Sequence, residues 1–212
     1  AGIRYTHENK VYTFHHFNMD GTINAPDIEG PSPPASDSVV DYRVSLDYRW
    51  SDHLMTYATV ATGFKGGGIN PFPAVKALVL PFGPEKLTNY EIGLKSDFLD
   101  NRLRFNLTGF YDKYKGVQLT SFDVSAYNVA FGSIVLNAGN ATMKGFEAEL
   151  TGEPAPGLEF DAALSYLDFH FDYINPGTGL APYIVPPFAP AWKWSIGAQY
   201  KFDLGGSTLT PR

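Results

Sequence analysis

The sequence predicts an all-β chain made of antiparallel transmembrane β-barrel strands. Three observations carry this. Segments alternate strictly in polarity with one wholly apolar face, tight turns alternate with long loops, and the segments run long. A strand of about ten residues crosses a bilayer at a tilt, whereas strands of soluble sheets are most often about five or six residues.

The alternation holds position by position. From Trp192 one series reads Trp192, Trp194, Ile196, Ala198, Tyr200, Phe202, and the other Lys193, Ser195, Gly197, Gln199, Lys201, Asp203. From Val40, Val40, Tyr42, Val44, Leu46, Tyr48 and Trp50 oppose Asp41, Arg43, Ser45, Asp47 and Arg49. Successive side chains of a strand point to opposite faces, so each segment has an apolar side suited to lipid. Its other side carries both signs of charge, which suits a wet or protein-filled lumen better than a dry core. Tyr42, Trp50, Tyr90 and Tyr200 lie at the ends of apolar series, where amphipathic rings sit at head-group level.

The period-two rule places strands at roughly 2 to 14, 39 to 50, 54 to 63, 87 to 97, 102 to 116, 143 to 152, 158 to 171 and 191 to 203, with a ninth beginning near Ser207. Short connections fall at Trp50 to His53, Phe98 to Asn101, Glu153 to Gly157 and Asp203 to Gly206, most of them rich in turn-forming residues. The long ones are His15 to Ser38, Phe64 to Lys86, Leu119 to Ala141 and Asp172 to Pro190. Long loops on one side and short turns on the other are the habit of an outer-membrane barrel.

Composition narrows the function. Acidic residues (22) exceed basic ones (16), for a net charge of -6, which argues against a nucleic-acid surface. Without cysteine there is no disulfide frame, thiolate metal site or thiol nucleophile. Ser51, Asp52 and His53 are consecutive in a tight turn and cannot align as a triad. GFKGGG at Gly63 to Gly68 lacks the lysine-hydroxyl ending of a phosphate loop. Asp168, His170 and Asp172 share a strand face, but the outer two sit about 13 Å apart, too far to chelate one ion. No catalytic constellation, metal site or cofactor is expected. The ligand-binding candidates are rim residues of the long loops: His15, His16, Phe64, Lys65, Phe72, Phe82, Tyr127, Phe131 and Tyr183.

Three stretches resemble the TonB-dependent outer-membrane receptor barrel: LMTYATVATGFKGGGIN from Leu54, PEKLTNYEIGLKSDFLDNRLRFNLTGFYDKYKGVQL from Pro84, and NAGNATMKGFEAEL from Asn137. The resemblance implies a 22-stranded barrel plugged by an amino-terminal domain, of which residues 1–212 would be about eight to nine strands, without plug or coupling box. It also implies residence in the bacterial outer membrane, with lipid, TonB (through the missing plug) and a small-molecule cargo such as a ferric siderophore as partners. The implied function is active import of a scarce nutrient. A passive porin-like barrel and a soluble all-β binding module are the alternatives. A piece of a larger barrel should form an open sheet whose first and last strands lack partners in this chain, because closing eight strands would crowd Arg43, Arg49, Glu91, Lys95, Glu147 and Glu149 into a narrow interior.

The alternation makes one direct prediction. Arginine in place of Ile196, on the lipid side near the midplane, should cost about 2 to 4 kcal/mol in a bilayer folding titration, while arginine in place of Ser195, facing the lumen, should cost little. Equal costs would defeat the assignment of faces.

Overall fold

The computed structural model describes residues 1–23, 27–130, 132–181, 184 and 189–211. Eight strands form one antiparallel sheet: β1 (Gly2–Lys10), β2 (Ala35–Ser51), β3 (Leu54–Lys65), β4 (Glu85–Phe98), β5 (Leu103–Ser121), β6 (Ile134–Ala155), β7 (Leu158–Ile174) and β8 (Trp192–Tyr200). Each pairs with its neighbours in chain order, and β1 does not pair with β8. Among the described residues the sheet is therefore open, with no further strand of the sheet beyond β1 or β8.

Register turns the alternation into two continuous surfaces. One row runs through Leu46, Ala58, Ile92, Gly109, Phe146, Tyr166 and Trp192 from β2 to β8. Its large members stay in the open: Leu46 is 74% exposed, Ile92 66%, and Trp194 and Ile196 on the same face 71% and 76%. The adjacent row, one residue along, runs through Asp47, Tyr57, Gly93, Thr108, Glu147, Ser165 and Lys193. Such a bare apolar face is what a sheet presents to lipid. The polar face is the lumen wall, where Tyr57 shares a hydrogen bond of 3.0 Å with Thr108 and Asn89 donates to Asp112 at 2.7 Å.

The short turns close as expected. Ser51 pairs with Leu54 and Ala155 with Leu158 around two-residue turns, the second with Gly157 at φ 77°. Leu99, Asp100 and Asn101 all take positive φ, and the turn is tied down by Arg102, whose amide and side chain both donate to the Leu99 carbonyl.

Several strand limits differ from the sequence reading. Pairing continues past the regular alternation at the long-loop end, so β5 reaches Ser121 and β6 begins at Ile134, shrinking the third long connection to 122–133. Backbone hydrogen bonds need no apolar side chain, so the ladder outlives the pattern that reveals it. The first strand stops at Lys10, and Thr13–Phe14 pairs instead with Gly30–Pro31. The last stops at Tyr200, and Phe202–Asp203 turns back on Thr208–Leu209, so the segment near Ser207 closes a small separate hairpin and adds no ninth strand to the sheet.

Gly145 shows how tightly the ladder is packed at one point. A Cβ there would run into the Tyr166 carbonyl oxygen of β7 and lie 2.9 Å from Phe110 Cζ. A Cβ at Gly109 would meet Ile92 Cγ2 at an ordinary 3.8 Å. Gly145→Ala should therefore cost on the order of 1–3 kcal/mol by overpacking, and Gly109→Ala under 1 kcal/mol, in denaturant unfolding of the complete receptor. Similar costs for the two would contradict this packing.

Candidate ligand-binding mouth

The candidate site lies where the long loops meet the polar face. The glycine-rich segment after β3 folds inward over that face. Gly67 donates its N–H to Asp37 Oδ2 at 2.7 Å and accepts from Lys10 Nζ at 3.0 Å; both partners share the polar face with Arg4 and Arg43. Gln118, buried on β5, donates to the carbonyls of Lys65, Gly66 and Gly83 at 3.3, 3.0 and 3.0 Å. Its own N–H donates to Glu85 Oε2 at 2.7 Å. Asn137 completes the anchorage: its amide nitrogen donates to the carbonyls of Gly83 and Gly116, and its oxygen accepts from the Gly83 N–H. Gly116 adopts φ 67° at a break in the β5–β6 register, which turns its carbonyl toward that amide.

The loops also carry a small core of their own. Leu78, Val124 and Ile134 are almost wholly buried, with Ala74, Leu80, Tyr127, Val129 and Leu136 packed around them, so the loop after β3 and the loop after β5 form one body. Asn70, 1% exposed, bridges the two by donating to the carbonyls of Leu78 (3.0 Å) and Ser133 (2.9 Å). Buried amides satisfied in this way fix loop geometry, because breaking them strands a desolvated carbonyl.

The candidate residues separate accordingly. Lys65, on the polar face opposite Glu85, is exposed at the mouth, whereas Phe64, one residue earlier, pairs with Lys86 and shares the apolar face with Val60. Phe72 stands 77% exposed. Phe82 lies against Gly68 in the short ladder of Gly68–Ile69 with Pro81–Phe82. Tyr127 is part of the loop core. Phe131 and Tyr183 lie outside the described residues. The residues that sequence reasoning missed are the anchors Asn70, Gln118 and Asn137. The asparagine-led motif from Asn137 is the signal that could have flagged one of them.

His15 and His16 do not converge on a common ligand. Glu29 instead gathers both, one oxygen meeting His15 Nδ1 at 2.9 Å and the other accepting from the His16 backbone N–H at 2.6 Å. Among the described residues there is no group of three or more His, Cys, Asp or Glu side chains able to hold a metal ion. The His16 N–H, and secondarily the His15 ring, hold the Glu29 carboxyl below its ordinary value of 4.5. A lowered folded pKa adds stability that is complete above the ordinary value and lost as pH falls through the lower folded one. The protection of the His16 amide, its exchange relative to an unstructured peptide at the same pH, should accordingly hold constant at pH 5–8 and fall only once the pH drops below the ordinary carboxylate value of 4.5. Loss of protection already at neutral pH would contradict this role of Glu29.

Comparison with known proteins agrees with this geometry. The family model described as TonB dependent receptor-like, beta-barrel matches residues 1–210. The pesticin receptor of Yersinia pestis is 31% identical over 161 residues, covering 76% of this chain and 22% of that protein. The ferripyoverdine receptor of Pseudomonas aeruginosa is 32% identical over 129 residues, 60% of this chain and 15% of that protein. Among solved structures, the ferric yersiniabactin uptake receptor FyuA from Yersinia pestis superposes with a TM-score of 0.75 at 23% identity, covering 98% of this chain and 29% of that one. The chain thus spans about a fifth of the length of the curated relatives it matches. These relatives are transport receptors of the bacterial outer membrane. With its match over nearly the whole length, its open antiparallel sheet and its lipid-facing surface, the chain belongs to the TonB-dependent receptor β-barrel family.

Proposed function

We propose that this chain forms part of the wall and mouth of an outer-membrane receptor that imports a scarce nutrient, a ferric siderophore, energised through TonB, and that it performs no catalysis. One observation carries the reading: the loop after β3 is folded over the lumen face and fixed there by Gln118, Asp37 and Asn137. A passive pore gains nothing from so rigid a cover, whereas capture of a bulky ligand requires a preformed concave surface. Relatives described as ferripyoverdine and ferric yersiniabactin receptors support the choice of cargo.

In this reading Lys65, Phe72, Phe82 and His15, with Phe131 and Tyr183 from the third and fourth long loops of the sequence, are the cargo contacts. Among the described residues, Arg43, Arg49, Glu91, Lys95, Glu147 and Glu149 of the wall form no ion pairs with one another or with their neighbours. Lumen charges free in this way suit pairing with a plug.

The test uses the complete receptor in iron-starved cells. Replacing residues 66–84 by a tight turn should abolish uptake of the ferric siderophore while the barrel still assembles. Gln118→Ala, which removes bonds worth about 1–3 kcal/mol to loop order, should weaken cargo binding and speed amide exchange across 65–83. Uptake that survives the loop replacement, or that proceeds without TonB, would sink the proposal.

A further inference from the structure

A second recognition surface lies on the opposite side of the wall. On the apolar face of β4 the outward column reads Leu94, Ile92, Tyr90, Thr88, Lys86, and on β5 it reads Leu107, Gly109, Tyr111, Lys113, Lys115, with no register shift between the two strands. The apolar stretch ends at a pair of rings, Tyr90 and Tyr111, whose centroids are 6.3 Å apart. Lysines begin immediately beyond, at the long-loop end. Lys86 stands directly across the ladder from Lys115, and the Lys113 ammonium sits 5.6 Å above the Tyr111 ring.

This arrangement is unfavourable as it stands. Residues directly opposite in an antiparallel pair have Cα atoms about 5 Å apart, and like charges so placed repel. Carboxylates on the same face do not relieve it. Asp168 is taken by Lys144 at 3.4 Å, and Asp172 by His170 at 3.2 Å and the Thr142 hydroxyl at 2.8 Å. Among the described residues Lys86, Lys113 and Lys115 have no ion-pair partner. Three exposed cations one step above an aromatic girdle lie at the depth where lipid phosphates sit.

The surface beneath is shaped as well as apolar. A depression of about 520 Å³ runs across β2 to β6 on the same face, lined by Leu46, Ala58, Ile92, Leu107 and Phe146 and reaching Gly109, two outward positions below Lys113. It opens to the lipid side, away from the loops that cover the lumen, so it is no part of the cargo mouth.

We propose that Lys86, Lys113 and Lys115 clamp the phosphate groups of a phosphorylated, multiply acylated lipid of the outer leaflet, one of whose acyl chains lies in the depression at Gly109. The lipid supplies the anion that the facing lysines lack, and its chain fills the gap the glycine leaves. The proposal rests on the outer-membrane placement of the barrel and not on the identity of the cargo, so it stands or falls separately from the import reading.

The test is a lipid titration of the complete receptor in neutral detergent, with bis-phosphorylated lipid A and its dephosphorylated form as probes. The unmodified receptor should prefer the phosphorylated lipid, and the preference should shrink as salt rises. The triple change Lys86→Gln, Lys113→Gln, Lys115→Gln should weaken that binding on the order of 100-fold, at roughly a factor of five per lysine. The triple arginine variant should retain it, as should Lys95→Gln on the lumen face. Gly109→Leu should weaken the phosphorylated lipid without altering the salt dependence. Equal affinity for both lipids in the unmodified receptor overturns the proposal and needs no variant to fold. So does an equal loss with Lys95→Gln, or displacement of the lipid by inorganic phosphate at comparable concentration, which would mark a free-anion site.

Discussion

Hydrocarbon offers no partner to a peptide N–H or C=O, and each such group left unpaired there costs several kcal/mol. The rest of this structure depends on that constraint. It forces every membrane-crossing segment into a ladder and makes the ladders long, as in the unbroken pairing from Leu54 with Ser96 to Lys65 with Glu85. The outer sides of β1 and β8 carry unpaired ladder groups in this chain, so the sheet satisfies the bilayer only as part of a closed wall. Closing β1 onto β8 would answer the same need, but it would press Arg43, Arg49, Glu91 and Lys95 into an interior with little room for water. The open order keeps those charges on a broad wet face instead.

Above the bilayer the constraint relaxes, and the chain changes its means of support. Water can satisfy loose backbone there, so the loops must be fixed by specific bonds if they are to be fixed at all. Gln118, Asn137 and Asn70 do this by meeting backbone carbonyls that would otherwise face the interior of the loop body, while Leu78, Val124 and Ile134 exclude water from its centre. The result is a mouth of fixed shape. In the proposed role as a receptor mouth, that rigidity would save the entropy of ordering loops on binding.

Much of this was legible in the sequence because membrane strands write their faces in period two. The apolar series from Trp192 and from Val40 reads directly as the exposed columns observed, and the turns at Asp52 and Gly157 close where their residues demand. Strand ends were less legible. From Ala141 back to Asn137 only Asn, Gly and Ala occupy the two phases and the alternation is lost, yet the ladder continues to Ile134, because it is held by the backbone. The sequence pointed to the long loops for the candidate site, but not to the residues that shape it. Tyr127 looks like an exposed loop aromatic and is packed in the loop core, while Gln118 looks unremarkable and carries the cover. Those roles depend on contacts between loops some fifty residues apart in sequence, which no local pattern encodes.

A last consequence concerns how charge and aromaticity should be read in such a chain. Phe64 and Lys65 are adjacent in one motif and look like one functional unit, yet the strand sends them to opposite environments: Phe64 beside Lys86 on the lipid side, Lys65 opposite Glu85 on the lumen side. A lysine one position earlier or later therefore moves from the lumen side to the lipid side without any change in local composition. Net charge, -6 for the whole chain, conceals this division. The cations of β4 and β5 above the ring pair all fall in the outward phase, whereas the acids Glu85 and Asp112 of the same strands fall in the inward phase. The wall thus presents a positive strip to the lipid head groups and acidic groups to the lumen, a separation that only the parity of the ladder reveals.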